Sequence, residues 1–282
     1  MYLRCIFLKQ LFPLHKISVS LLLLFSSVNV NAGDRYRIAA GAGEAGTGYS
    51  CIMKTGFWSS FHNPASLSDI TSFAFGVNYE NRFNINELGT RTAGFVLPAG
   101  KTSLGAIYSH FGYADFNRQM AGVSCGLNLS EKLAAGIQID YFSEQMIGEY
   151  NNNQEITFEA GILMSPSENI RLGIHLFNPV PNSLRKNYLP SSVRAGAGIY
   201  LSRILFAGTE VEMSSENNLI FRTGFEYEAG KRLWLRGGFC NENTAFSFGL
   251  GYLVSAVQID IGFVSHEKLG VTSSASLIFK IK

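Results

Sequence analysis

Charge is what this sequence is shortest of. Charged residues fill 16% of its 282 positions, against about 25% in a soluble domain. The net charge of +2 is too small to draw in nucleic acid or an acidic partner. Long apolar runs are missing too. Beyond residue 30 no stretch reaches the roughly 18 apolar residues that a membrane-spanning helix requires. Proline is scarce. Of the four cysteines, Cys5 falls in the leader, and Cys51, Cys125 and Cys240 are far apart with no CxxC spacing. Single buried thiols are the better reading of them, and neither a metal site nor a cofactor site is indicated. Yet 46% of the chain is hydrophobic and 29 residues are glycine. A chain this greasy without greasy runs fits a β-barrel, whose apolar residues are spread over every second position.

Residues 1–32 read as a secretory leader. Arg4, Lys9, His15 and Lys16 give a basic start, ISVSLLLLF a short apolar core, and Val30-Asn31-Ala32 a small-residue cleavage site. Residues 33–70 follow, rich in Gly and Ala, with the periodicity of neither a helix nor a strand. This segment is expected to be a plug or hatch. Residues 71–282 then alternate at period two. Phe75, Val77 and Tyr79 alternate with Ala74, Gly76 and Asn78, and Phe246, Phe248, Leu250 and Tyr252 with Ser247, Gly249 and Gly251.

About fourteen such segments are predicted, from 71–79 to 270–281. Most are near the 9–11 residues that cross a bilayer at a tilt. The connections are alternately tight and longer, as in an outer-membrane barrel with short periplasmic turns. The fold class is therefore all-β: a transmembrane antiparallel barrel with an N-terminal plug, surrounded by outer-membrane lipid. An open sheet edge cannot stand in lipid, so the strands have to close on themselves.

The charges fall in the phase opposite to the apolar set: Asp140, Glu159, Arg171, Arg194, Glu210, Glu212, Arg222, Glu226, Arg236 and Asp260. Both signs are present, so a lumen holding them would pair them. Tyr79, Tyr108, Tyr141, Tyr227, Trp234 and Tyr252 are candidates for interfacial girdles. The inward phase is rich in glycine, which leaves room for a filler, and residues 33–70 are the obvious one.

The run Ala39-Ala40-Gly41-Ala42-Gly43-Glu44-Ala45-Gly46-Thr47-Gly48 leads through Phe57-Trp58 into Asn63-Pro64-Ala65, ahead of the strands. In this the sequence resembles FadL-type outer-membrane barrels, and especially their PorV/PorQ relatives of the type IX secretion system. It differs in carrying Lys54-Thr55-Gly56 where many of those relatives are acidic, and in ending Phe279-Lys280-Ile281-Lys282. The resemblance implies an outer-membrane location. It leaves two roles open: an accessory or attachment component that binds secretion-system proteins, placed first, and a channel for a hydrophobic or small molecule gated by the plug.

Asn63, Pro64 and Ala65 read as a corner that seats the plug, with direct ligand contact as the alternative. Proline biases Asn63 toward extended backbone, and an Asn side chain readily bonds nearby main chain. Met53, Phe57, Trp58 and Phe61 are expected to pack the plug onto inward residues such as Ile107 and Leu163, or else to line a pocket. No catalytic residue is expected. His62, His110, His175 and His266 lack metal spacing, and the neighbours Ser109 and His110 point to opposite faces of a strand.

Overall fold

A computed structural model describes residues 40–148, 153–179, 189–215, 219–242 and 245–281. The expected leader and residues 33–39 of the expected plug lie outside the described residues. The described chain contains fourteen strands: β1 (Phe73–Asn81), β2 (Gly89–Ala99), β3 (Thr102–Gly112), β4 (Phe116–Ser130), β5 (Leu133–Met146), β6 (Asn153–Ser167), β7 (Ile170–Phe177), β8 (Ser192–Ser202), β9 (Leu205–Ser214), β10 (Leu219–Glu228), β11 (Leu233–Cys240), β12 (Ala245–Val254), β13 (Val257–His266) and β14 (Gly270–Ile281). Each pairs antiparallel with the next. β14 closes on β1 from Phe73↔Ile281 to Asn81↔Ser273, so the barrel has no edge. Among the described residues no helix is long and apolar enough to cross a membrane, and the crossing is made by strands.

Alternation produces this wall directly. Successive side chains on a strand point to opposite faces, and the outward set is apolar: Val123, Ile137, Ile139, Phe246 and Phe248 are among its exposed members. In water such a surface would be untenable; in lipid it is the matched one. Tyr79, Tyr108 and Tyr141 face outward near the long-loop rim, and Tyr227 and Tyr252 near the short-turn rim. Trp234 departs from the expected girdle. Opposite Glu228 and two residues before the buried Arg236, it lies on the inward phase of β11.

Strand ends differ from expectation by a few residues, and β4 and β6 are both longer than expected. Both run on toward the short-turn rim through a register shift, at Asn128/Ser130 and at Met164/Ser167. A bulge absorbs one residue without ending the ladder, so polar residues that look like a turn remain in the strand. At the β2–β3 hairpin Gly100 has φ 72°, a backbone state that side-chain-bearing residues adopt only at a cost.

Residues 40–70 contain one short helix, α1 (Ala42–Gly46), and two 3-10 turns, Ser59–Phe61 and Pro64–Asp69. They lie against the inward face of the strands and are almost wholly buried. The wall meets them with glycine. An ideal Cβ on Gly161 would stand 1.9 Å from Asn63 Oδ1, on Gly136 2.2 Å from the Pro64 carbonyl carbon, and on Gly224 2.3 Å from the Thr47 carbonyl oxygen. These glycines are neighbours across the sheet: Gly126–Gly136–Gly161 on one side, Gly208–Gly224–Gly238 on the other. Any larger residue would occupy the space the segment fills.

Candidate functional site: the lumen around residues 40–70

The wall holds the first part of this segment with charge. Arg194 donates from Nε to Glu210 Oε1 at 2.6 Å and from Nη2 to the Tyr49 carbonyl at 3.2 Å. Arg222 Nη1 reaches Glu210 at 3.2 Å and Glu212 at 2.5 Å. The other oxygen of Glu210 accepts the backbone N–H groups of Cys51 and Ile52, at 3.3 and 3.4 Å. One carboxylate thus joins two guanidiniums to the main chain of the segment. A second group lies beside it: Arg236 pairs with Glu226 at 2.5 Å and Asp260 at 2.6 Å, and Lys54 from the segment also pairs with Glu226. Buried charges persist only when paired and hydrogen-bonded. The alternation places these residues inward, and the structure shows both signs interlocked.

Glu44 on α1 accepts from Ser59 Oγ at 2.8 Å. Burial pushes its carboxyl above the usual carboxylate range, and Lys54 and Arg236 oppose that shift. Asp69 is likewise raised by burial, with Arg171 pulling the other way from 3.4 Å.

The residues singled out in the sequence do not share one place. Asn63 caps the Pro64–Asp69 turn, its Oδ1 accepting from Ala65 N at 3.1 Å. Its Nδ2 donates to the Ile52 carbonyl at 2.7 Å and to that of Ile162 on β6 at 3.3 Å. The backbone of Asn63 is extended, as a residue before proline prefers. Pro64 and Ala65 press on β5 and β6, where Ala65 clusters with Ala134 and Leu163. Met53 packs with Ile52 and Phe206, over Gly196 and Gly208. Phe57, Trp58 and Phe61 form a separate group. The Phe57 ring stands edge-on to Trp58 at 4.9 Å and to Phe61 at 5.6 Å, and the three join a core that includes Ile107.

Beyond Phe61, toward the long-loop rim, lies a small cavity of about 10 Å³, room for a single water. Phe61, Ile107, Met120, Phe142 and Phe177 give it an apolar wall, and His62, Glu159 and His175 edge it with polar groups. The Glu159 carboxylate and His175 Nε2 are 2.8 Å apart, both buried. Asp140 stands beside Glu159 and accepts from Gln138 Nε2 at 2.9 Å. The wall next to the cavity is irregular. The β6–β7 ladder reaches only Glu159↔Phe177; beyond it Thr157 donates to Asn178 Oδ1, and the Leu189 N–H to Glu155.

Sequence reasoning missed the Glu159–His175 pair. Both lie on the inward phase of one tight hairpin, and counting back from its turn places them diagonally across from each other. Ser109 points inward and bonds Thr92 Oγ1 at 2.9 Å. Among the described residues no group of three or more His, Cys, Asp or Glu is placed to hold a metal ion.

A closed fourteen-strand wall, apolar outside and charged or glycine-lined inside, defines an outer-membrane-type β-barrel. No protein-family profile and no curated protein matches the chain. Solved structures do share its fold. A Pseudomonas aeruginosa FadL homologue is 12% identical, with a TM-score of 0.61 over 90% of this chain and 98% of its own. The Pseudomonas putida toluene transporter TodX is 12% identical, with a TM-score of 0.63 over 89% and 98%. The Acinetobacter baumannii outer membrane protein Omp33, also 12% identical, reaches 0.52 over 74% and 98%. The FadL-type fold expected from the plug motif and strand pattern is therefore present.

Proposed function

We propose that the protein is an outer-membrane conduit for small, largely apolar molecules, with residues 40–70 as its plug and gate. The observation that carries this reading is the apolar cavity where that segment meets the wall. Phe61 of the segment lines it, and although it holds only a water as it stands, movement of the segment would widen it to take a ligand. In this state the segment fills the lumen, so passage requires the segment to yield. The shared fold with a toluene transporter supports the same reading.

Proteoliposome flux of toluene and single-channel conductance test it. Removal of residues 40–70 is expected to turn a nearly silent barrel into an open pore. A barrel that stays sealed to toluene when intact and to ions when truncated ends the proposal. The attachment role, placed first on the sequence, rests on the motif resemblance alone, and the solved structures that share the fold lend it no support. It predicts co-purification with outer-membrane secretion proteins, and unchanged surface cargo in cells lacking this protein would dismiss it.

A further inference from the structure

The cavity's chemistry is lopsided, and this bears on what it accepts. Its apolar side is ring-rich, with Phe61, Phe142 and Phe177 meeting Met120, and methionine yields readily to a new shape. Its polar side is acidic. Glu159 and His175 edge it as a pair 2.8 Å apart, and Asp140 stands beside Glu159, outside the lining itself. His62 points its Nε2 at the Ala40 carbonyl, 2.8 Å away, which occupies that nitrogen as a donor. Among the described residues no lysine or arginine lines the cavity. The guanidiniums on the inward phase of the strands sit on β4, β7, β8, β10 and β11; Arg118 of β4 is paired with Glu144, and those of β8, β10 and β11 are bound into the carboxylate clusters there.

From this arrangement we infer that the cavity is selective for small aromatic molecules whose polar end donates hydrogen bonds, amines above all, and that it rejects carboxylates. This deepens the conduit reading and rests on it. An ammonium directed at Glu159 brings a charged donor to the carboxylate that His175 already contacts, in a site shielded from water where such attraction is strong. An alcohol donates to the same carboxylate with no charge to gain. A ligand carboxylate meets the carboxyl of Glu159, with no lysine or arginine on the cavity wall to receive it. Phe61, Ile107 and Met120 have to move apart to admit a ring, because the closed cavity holds no more than a water.

Three probes of one skeleton test this: phenylethylamine, phenylethanol and phenylacetate, titrated calorimetrically into the full barrel in detergent and followed for flux in proteoliposomes. The expected order is amine, alcohol, carboxylate, with about tenfold or more between the first and last, the scale of a directed charge contact. In Glu159→Gln the amine loses most of that advantage and the carboxylate recovers. Wild-type binding alone decides the matter if that variant fails to assemble. Equal or tighter binding of phenylacetate overturns the inference, as does an unchanged order in a folded Glu159→Gln barrel. Flux of all three at one rate overturns it while leaving the conduit standing. Absence of flux for every probe, toluene included, removes the conduit reading itself.

Discussion

Two arcs of the same inner wall hold the central segment by different physics. Along β8–β13 charge is added to glycine packing: Glu210 accepts two backbone N–H groups, Arg194 donates to the Tyr49 carbonyl, and Lys54 meets Glu226. Along β1–β6 the contact is mainly steric. Phe57 lies on Gly76, Phe61 on Gly94, Pro64 on Gly136, and few charges take part. The first arc ties the segment down by groups that are costly to separate. The second wedges it by shape, and the cavity opens on that side. On the proposed conduit reading, the anchored part of the segment would stay in place and the part held by packing would be the one to yield.

The largest expected effect is on the charged arc. Glu210→Ala leaves Arg194 and Arg222 short of a shared carboxylate and should cost about 3–5 kcal/mol, read as a lower urea midpoint for unfolding from lipid. Gly161→Val, on the steric arc, drives a side chain into Asn63 and should cost about 1–3 kcal/mol. Despite its smaller cost, it is expected to raise conductance more than Glu210→Ala does, because it displaces the part of the segment beside the cavity. The reverse ranking would break the comparison.

Lys54→Met should matter less, about 1 kcal/mol, since Glu226 keeps Arg236 as its partner. The smallest effect concerns pH. The Glu44 carboxyl is raised in the folded barrel, so the folded state holds its proton at a pH where the unfolded chain has released it. Its contribution is complete below the ordinary carboxylate value and is lost as pH rises through the folded one. Glu44→Gln is expected to flatten that part of the stability profile in a pH series of urea melts.

Most of the wall is legible in the sequence. Outward Phe75, Phe158 and Phe248 and inward Asp140, Glu210 and Asp260 follow from parity alone, and a closed sheet follows from lipid. The site is less legible. Met53 and Phe61, close in sequence, end in different clusters on different arcs. Trp234 looks like a girdle residue by type, but its parity with Arg236 is the better guide.

Local alternation, then, determined which face each strand residue takes, since a strand has two faces and a bilayer accepts one kind of surface. Which residues meet across the lumen was decided only by closure. Glu210 with the Cys51 and Ile52 amides and Gly161 with Asn63 are set by register and by the path of a segment that has no periodicity of its own. Such contacts join positions distant in sequence, and no local pattern records them.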